Sequence, residues 1–234
     1  MNGNPVVPDD HRATIEHFLS VLNKALGIIV HVGAHAGEEV DIYRHYGARR
    51  IVLVEANPAS CDALNDAFGA DSDVEVVHAA VTDHDGTDEL LLHTNARGGT
   101  ESASLLPMKR LSEIVSTLHT ERAVEVPATT LDRLLEEAGI DASEIGLLVL
   151  DVQGAELSAL RGAPRTLEAV RAVLTEVALA ELYEGVASED EIAKLLVDAG
   201  FSKVAGLDYE LYEGERRFRA WGDRLFVREG VSSP

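Results

Sequence analysis

Residues 26–39, "LGIIVHVGAHAGEE", join an apolar run to a turn that contains two glycines. The apolar, β-branched run before Gly33 predicts a buried strand. Gly33 and Gly37 predict a turn whose backbone can approach a ligand closely, with Ala34 and His35 between them. In an open α/β sheet, the first strand-to-helix turn lines the ligand crevice at the carboxyl ends of the strands. This stretch therefore predicts an α/β protein with a binding site around residues 33–37.

Alternating strand and helix patterns extend from this stretch in both directions. An amphipathic helix is predicted before it, in "HRATIEHFLSVLNKAL" (11–26), with Gly27 as its stop. Further strands are predicted in "RIVLVEANP" (50–58), "VEVVHAAV" (74–81), "IGLLVLDVQGAE" (145–156) and "AVRAVLTEVAL" (169–179). The order strand, helix, strand, helix, strand favours parallel strands with crossover helices. Two antiparallel strands, in 202–213 and 217–229, are predicted to close the sheet edge.

The middle of the chain is less regular. "NARGGTESAS" (95–104) is typical of a loop of small residues, and "MKRLSEIVSTL" (108–118) places its apolar residues on one helical face. We expect residues 95–122 to form a lid-like insertion over the site. In contrast, "SEDEIAKLLVDAGF" (188–201) predicts a well-defined helix, because Ser188 and Glu191 form a capping box.

The composition restricts the partners of the protein. Its net charge of −21 and pI near 4.7 repel nucleic-acid phosphates and anionic membrane surfaces, so neither partner is expected. A single cysteine, Cys61, rules out an intrachain disulfide. No apolar run reaches the roughly 18 residues of a membrane helix, and no signal-peptide pattern is present. We therefore expect a cytoplasmic protein.

Acidic residues follow three of the predicted strands. Glu55 stands 22 residues after Gly33, where a carboxylate can accept hydrogen bonds from both hydroxyls of a ribose. A structural alternative is that Glu55 supports the start of the helix after Asn57. Asp151 and Glu176 end two later strands, at the same edge, where they could act as a base or orient a cationic group.

The two histidines near the glycine turn suggest a metal site at first. His31 and His35 are four residues apart, but a strand and a glycine turn separate them, and no third ligand is near. We therefore predict no metal. The alternatives are a structural role for both, or ligand contact through His35.

Four segments together resemble one protein family, the FkbM-type methyltransferases, which use S-adenosylmethionine. They are "HVGAHAGEE" (31–39), "LVEANPAS" (53–60), "LLVLDVQGAELSALRGA" (147–163) and "LTEVALAELYEG" (174–185). The resemblance implies a Rossmann-like fold with a mostly parallel seven-stranded sheet. It also implies one methyltransferase domain over residues 28–229, preceded by a helical extension (1–27) and followed by a tail (230–234).

The resemblance also assigns roles to residues. The glycine turn would hold the methionine part of the cofactor, Glu55 the ribose, and the segment around Ala80 the adenine, with Asp83 just beyond. The implied cofactor-binding residues are Gly33, Ala34, His35, Gly37, Glu55, Ala56, Ala80, Val81, Ser102, Ser104, Asp151 and Gln153. Asp151 is the first candidate for the catalytic base and Glu176 the second. His31 departs from the family, whose members usually carry Asp there to help position the cofactor's ammonium group.

The expected activity is methyl transfer to a hydroxyl of a small-molecule acceptor, such as a sugar or a natural product. A nicotinamide-dependent oxidoreductase is an alternative, although Glu38 and Glu39 would repel a pyrophosphate at this turn. A non-catalytic, ligand-binding relative is another, for which His31 is the one indication. The N-terminal helix is a candidate for a homodimer contact or for a lid.

Overall fold

The computed structural model describes residues 11–22, 26–94, 100–115, 117–228 and 230. Its helices are α1 (His11–Leu22), α2 (Val40–His45), α3 (Pro58–Phe68), α4 (Arg110–Ile114), α5 (Leu131–Glu137), α6 (Glu156–Arg161), α7 (Pro164–Ala169) and α8 (Glu189–Asp198). A 3₁₀ turn covers Ala142–Glu144. Its strands are β1 (Gly27–Val32), β2 (Ala48–Glu55), β3 (Val74–His78), β4 (Ala80–Val81), β5 (Gly86–Thr94), β6 (Thr100–Ser104), β7 (His119–Thr129), β8 (Ile145–Leu150), β9 (Ala172–Ala178), β10 (Phe201–Glu213) and β11 (Arg216–Arg228).

The large sheet has seven strands in the order β10-β11-β9-β8-β1-β2-β3. Strands β1, β2, β3, β8 and β9 run parallel, and β11 pairs antiparallel with both β9 and β10. The predicted fold class is confirmed. Because parallel strands end at the same edge, the residues after β1, β2, β8 and β9 meet there.

Helices cover both faces of the large sheet. Side chains of β1 alternate between the two faces, with Val30 in one apolar core and Ile29 in the other. The first core packs against α5, α6, α7 and α8, and the second against α1, α2 and α3. The capping box of Ser188 and Glu191 starts α8, as predicted.

A second sheet, of order β4-β7-β5-β6, contains part of the segment that we predicted as an insertion. Thr100–Ser104, predicted as loop, pairs with β5 as strand β6, whereas residues 95–99 lie outside the described part. The helix predicted over 108–118 is shorter, Arg110–Ile114. Its start is fixed by long-range bonds, because the amides of Lys109 and Leu111 both donate to the carbonyl of Leu182.

Helix α1 packs its apolar face onto the large sheet. Ile15, Phe18 and Leu19 of this helix are buried in the second core. The apolar face of the helix that we considered for a homodimer contact is therefore covered by the protein's own core, and the homodimer stays a prediction. Among the described residues, no helix combines the length and the apolar character that a membrane span requires.

Candidate active site

The glycine turn after β1 is held by the neighbouring strand ends. The Gly33 amide donates to the Val54 carbonyl at 2.8 Å, and Gly33 has a φ of +85°. A Cβ at Gly33 would lie 1.8 Å from the Asp151 carbonyl oxygen, so the turn and the end of β8 are in direct contact. His35 also has a positive φ, 46°, which is uncommon for a residue with a side chain.

The His35 side chain faces solvent and Glu38. Its Nδ1 lies 3.3 Å from Glu38 Oε1. This hydrogen bond is the largest cause of the raised pKa of His35, and it lowers the pKa of Glu38 to about 2. The His35 backbone, rather than its ring, therefore faces the edge of the sheet where Glu55 lies.

Glu55 ends β2 and supports the same turn. One carboxylate oxygen accepts the His35 amide at 2.8 Å and the other accepts the Asn57 amide at 2.7 Å. Asn57 itself caps α3 through the Ala59 amide. Each Glu55 oxygen keeps a second lone pair, so the carboxylate can still accept hydrogen bonds from a ligand. The structure thus gives Glu55 a backbone-supporting role, and the ribose contact stays a prediction.

His31 lies in the interior, 5% exposed. Its Nδ1 is 3.1 Å from the Tyr43 hydroxyl and 3.8 Å from Glu39 Oε2. The two histidines are therefore in different surroundings, His31 in the core and His35 at the surface. The described residues hold no group of three or more His, Cys, Asp or Glu placed to bind a metal ion.

The turn after β8 is built around a second buried carboxylate. Glu156, 2% exposed, accepts the amides of Val152 and Gly154 at 3.1 and 3.0 Å through Oε1. Burial raises the pKa of Glu156 to about 7, and the negative charge of Asp151 adds to this rise. Between them, Gln153 takes a φ of 52° and donates from Nε2 to Asp151 Oδ1 at 2.8 Å.

A cavity of about 240 Å³ opens beside Asp151. It is lined by Thr14, Leu111, Asp151, Gln153, Glu176, Leu182, Tyr183, Tyr209, Trp221 and Asp223. Two of the acids predicted to meet at this edge, Asp151 and Glu176, are brought together here. We call this cavity the acidic pocket.

The acids of this pocket repel one another. Glu176 and Asp223 stand directly opposite on β9 and β11, a placement that is destabilising for like charges. Burial raises the pKa of Glu176 well above its usual range, and the negative charges of Asp151, Glu156 and Asp223 raise it further. Burial and these neighbouring charges therefore favour the protonated form of Glu176. Asp223 accepts a hydrogen bond from the Tyr209 hydroxyl at 2.6 Å, and the Tyr209 ring stacks on Trp221 with centroids 5.7 Å apart.

The other residues predicted to bind the cofactor differ in how far their side chains are exposed. The side chains of Ala34, Ala80 and Val81 are packed in the cores and are 1 to 3% exposed, so only their backbone could contact a cofactor. Ala56 packs beside the core of the small sheet. Ser104 donates to the Gln153 carbonyl at 2.7 Å and thus joins β6 to the turn after β8. Ser102 lies in β6, opposite His93.

Several pocket residues were missed by the sequence reasoning. Tyr209, Trp221 and Asp223 come from the antiparallel strands, Thr14 from α1, and Tyr183 from the loop after β9. One signal was available in the sequence. Trp221, Asp223 and the buried Leu225 are spaced two residues apart, so they lie on the same face of the strand. A carboxylate on that inward face indicates a cavity rather than a continuous core.

Comparisons with known proteins indicate the family of the chain. Residues 31–203, most of the chain, match the methyltransferase FkbM domain. A 2-O-methyltransferase, NoeI, of Sinorhizobium fredii (strain NBRC 101917 / NGR234) is 26% identical over 174 residues, which cover 71% of this chain and 70% of NoeI.

Two solved structures share the fold. Methyltransferase FkbM from Methylobacillus flagellatus KT matches with a TM-score of 0.50 and 12% identity, over 85% of this chain and 43% of that one. Sp1610 of Streptococcus pneumoniae, solved in complex with S-adenosyl-L-methionine, matches with a TM-score of 0.50 and 13% identity, over 95% and 75%. The chain belongs to the FkbM family of S-adenosylmethionine-dependent methyltransferases.

Proposed function

We propose that this protein transfers the methyl group of S-adenosylmethionine to a hydroxyl of a neutral, sugar-like acceptor bound in the acidic pocket. The observation that carries the proposal is the pocket itself, which holds Asp151, Glu176 and Asp223 next to a stacked tyrosine and tryptophan. The backbone of Asp151 contacts the glycine turn at Gly33. The name of NoeI, a 2-O-methyltransferase, supports oxygen as the methyl acceptor.

The residues at the edge of the sheet fit a cationic cofactor. The pocket lining contains Asp151 and two further carboxylates but no Lys, Arg or His. The pKa of Glu176 is raised by burial first and by like-charge repulsion in addition. A positive charge beside these acids would offset that repulsion. When bound, S-adenosylmethionine supplies an electrophilic methyl group on a positively charged sulfur. A nicotinamide dinucleotide would instead bring a negatively charged pyrophosphate, which this site disfavours.

The charge of the pocket also selects the acceptor. Two like charges about 4 Å apart repel by about 4 kcal/mol at an effective dielectric constant of about 20. A carboxylate or phosphate acceptor would meet this repulsion from three acids, whereas hydroxyls can donate to them. The volume of about 240 Å³ is below the roughly 300 to 1,000 Å³ of drug-sized sites, which favours a single ring over an extended natural product. The stacked rings of Tyr209 and Trp221 offer an apolar wall for such a ring.

The chain's own groups divide the remaining work. Asp151, at the end of β8 and in contact with the glycine turn, is the group proposed to accept the hydroxyl proton. Glu176, which lines the same pocket, can form a hydrogen bond with another hydroxyl of the acceptor. Asp223 is oriented by Tyr209 and accepts from a further hydroxyl.

Titration calorimetry with S-adenosylmethionine and S-adenosylhomocysteine tests the cofactor. We expect both to bind, and Glu55→Gln to bind more weakly. Absence of binding to the wild-type chain would overturn the assignment of this cofactor.

Matched acceptors test the hydroxyl chemistry. We expect transfer of a radiolabelled methyl group to methyl glycosides of neutral hexoses or deoxyhexoses, and at least tenfold less transfer to the corresponding uronic-acid glycosides. A preference for the uronic acids would contradict the charge argument. Normal cofactor binding with no transfer to either set would favour the non-catalytic relative.

A further inference from the structure

Asp151 is one end of a chain of side-chain hydrogen bonds that leaves the acidic pocket. Gln153 Nε2 lies 2.8 Å from Asp151 Oδ1, and the Tyr183 hydroxyl lies 3.2 Å from Gln153 Oε1. An ionised carboxylate can only accept, so the amide nitrogen of Gln153 must face Asp151. The amide oxygen then faces Tyr183, and the Tyr183 hydroxyl must donate. The direction of each bond follows from the charge on Asp151.

The backbone of Gln153 is held from the small sheet. Gln153 has a φ of 52°, in the left-handed region that residues other than glycine rarely occupy. Its carbonyl accepts from Ser104 Oγ at 2.7 Å, and the same hydroxyl accepts the Leu106 amide at 3.0 Å. The backbone from which the Gln153 side chain extends is therefore held by a residue of β6.

The ring of Tyr183 is also fixed by the small sheet. Tyr183 is 4% exposed and stacks on His93 with centroids 6.4 Å apart and planes 28° apart. His93 is fully buried, and its Nδ1 is 3.2 Å from the Thr120 hydroxyl. Burial lowers the pKa of His93, so its ring is neutral near pH 7 and serves Tyr183 as an uncharged packing surface.

We propose that Tyr183 is a positioning residue for Asp151, acting through the Gln153 amide. The Tyr183 hydroxyl donates to Gln153 Oε1 and so holds the amide oxygen on the side away from Asp151. The amide nitrogen then stays directed at Asp151 Oδ1. Asp151 Oδ2, which receives no hydrogen bond from the described residues, is then the oxygen that faces an acceptor. This inference rests on the proposed function, in which Asp151 takes the acceptor's proton.

Carbon-13 NMR of aspartate-labelled protein measures the effect without an acceptor. The Asp151 carboxyl signal is assigned by its loss in Asp151→Asn, and its titration midpoint is compared between variants. Since a donor to the charged form lowers the pKa of a carboxyl, we expect the midpoint to rise by about half a unit in Tyr183→Phe and by about one unit in Gln153→Met. Tyr46→Phe is the matched control, because it removes a hydroxyl that bonds the Glu16 carbonyl instead.

Unchanged midpoints in both variants, with the protein folded, would overturn the inference, as would an equal rise in Tyr46→Phe. Calorimetry on the wild-type chain separates this result from the proposed function. If S-adenosylmethionine does not bind, the proposed cofactor fails, whereas the titration still reports whether the hydrogen-bond chain acts on Asp151. Where transfer to a glycoside is measured, the acidic limb of the kcat profile is expected to move to higher pH in Tyr183→Phe.

Discussion

Replacement of Glu156 by glutamine tests the interior of the site through its pH dependence. Glu156 is 2% exposed, and this burial raises its pKa from the usual 4.5 to about 7. Below pH 4.5 the carboxyl is neutral in both the folded and the unfolded chain. As the pH rises toward 7, the unfolded chain loses the proton first, so the folded state loses stability, by about 3 kcal/mol in total at about 1.36 kcal/mol per pH unit.

Removing the charge of Glu156 should therefore stabilise the folded state at neutral pH. The glutamine side chain of the Glu156→Gln variant keeps an oxygen that can accept the amides of Val152 and Gly154 but carries no charge. The free energy of unfolding of the variant, relative to that of wild type, should therefore increase by about 2 kcal/mol from pH 5.5 to pH 8. This is less than the total because part of the change occurs below pH 5.5. Starting at pH 5.5 keeps the protein away from its pI near 4.7.

Urea unfolding of both proteins at several pH values in this range measures the difference. Glu191→Gln is the control. Hydrogen bonds to Ser188 lower the pKa of Glu191, so the contribution of this carboxylate to the free energy of unfolding is nearly constant above pH 5.5. A difference between wild type and Glu156→Gln that does not change with pH would refute the reasoning.

Three further substitutions have expected outcomes that separate scaffold from chemistry. Glu55→Ala should weaken cofactor binding by roughly 1 to 3 kcal/mol in calorimetry and also lower the melting temperature, because its carboxylate bonds two backbone amides; unchanged affinity would leave Glu55 a purely structural role. Asp151→Asn should reduce kcat by about 10² to 10⁴-fold with little change in unfolding by urea, and retained turnover would exclude it as the base. Gly33→Ala should fail to fold stably, since its Cβ would meet the Asp151 carbonyl at 1.8 Å. Gly139→Ala, where no atom lies within 4 Å of the added Cβ, should cost only the roughly 1 to 2 kcal/mol of a left-handed backbone, and equal losses in circular-dichroism melts would contradict the contact argument.

The large sheet and the edge that carries the site could be predicted because their signals are local. The strand before Gly33 is a continuous apolar run, and Asp151 follows another. A parallel sheet then places both strand ends at one edge whatever the lengths of the connections. The same argument predicted that Glu176 lies at this edge, and the structure places it in the same pocket as Asp151.

The other wall of the pocket depends on pairing that the sequence pattern does not specify. Both C-terminal strands alternate apolar and polar residues, and either could have been the outer one. In the structure β11 lies between β9 and β10, which sets Asp223 opposite Glu176. The predicted length of α4 was wrong for a related reason. The start of this helix is fixed by hydrogen bonds to the Leu182 carbonyl, more than 70 residues away in the chain, rather than by its own apolar spacing.

The roles of the strand-end acids are the part that sequence cannot assign, because a carboxylate that supports a turn and one that binds a ligand look the same in the chain. Glu55 and Glu156 both bond backbone amides, and the turns that they support each contain a residue of positive φ, His35 and Gln153. Both turns are therefore stabilised by hydrogen bonds from within the protein. Asp151 differs from these two acids, because its carboxylate is held by a side chain rather than by backbone. Of the three acids, Asp151 is the one that lines the acidic pocket where the acceptor is proposed to bind, and this is why we place the proton transfer on Asp151.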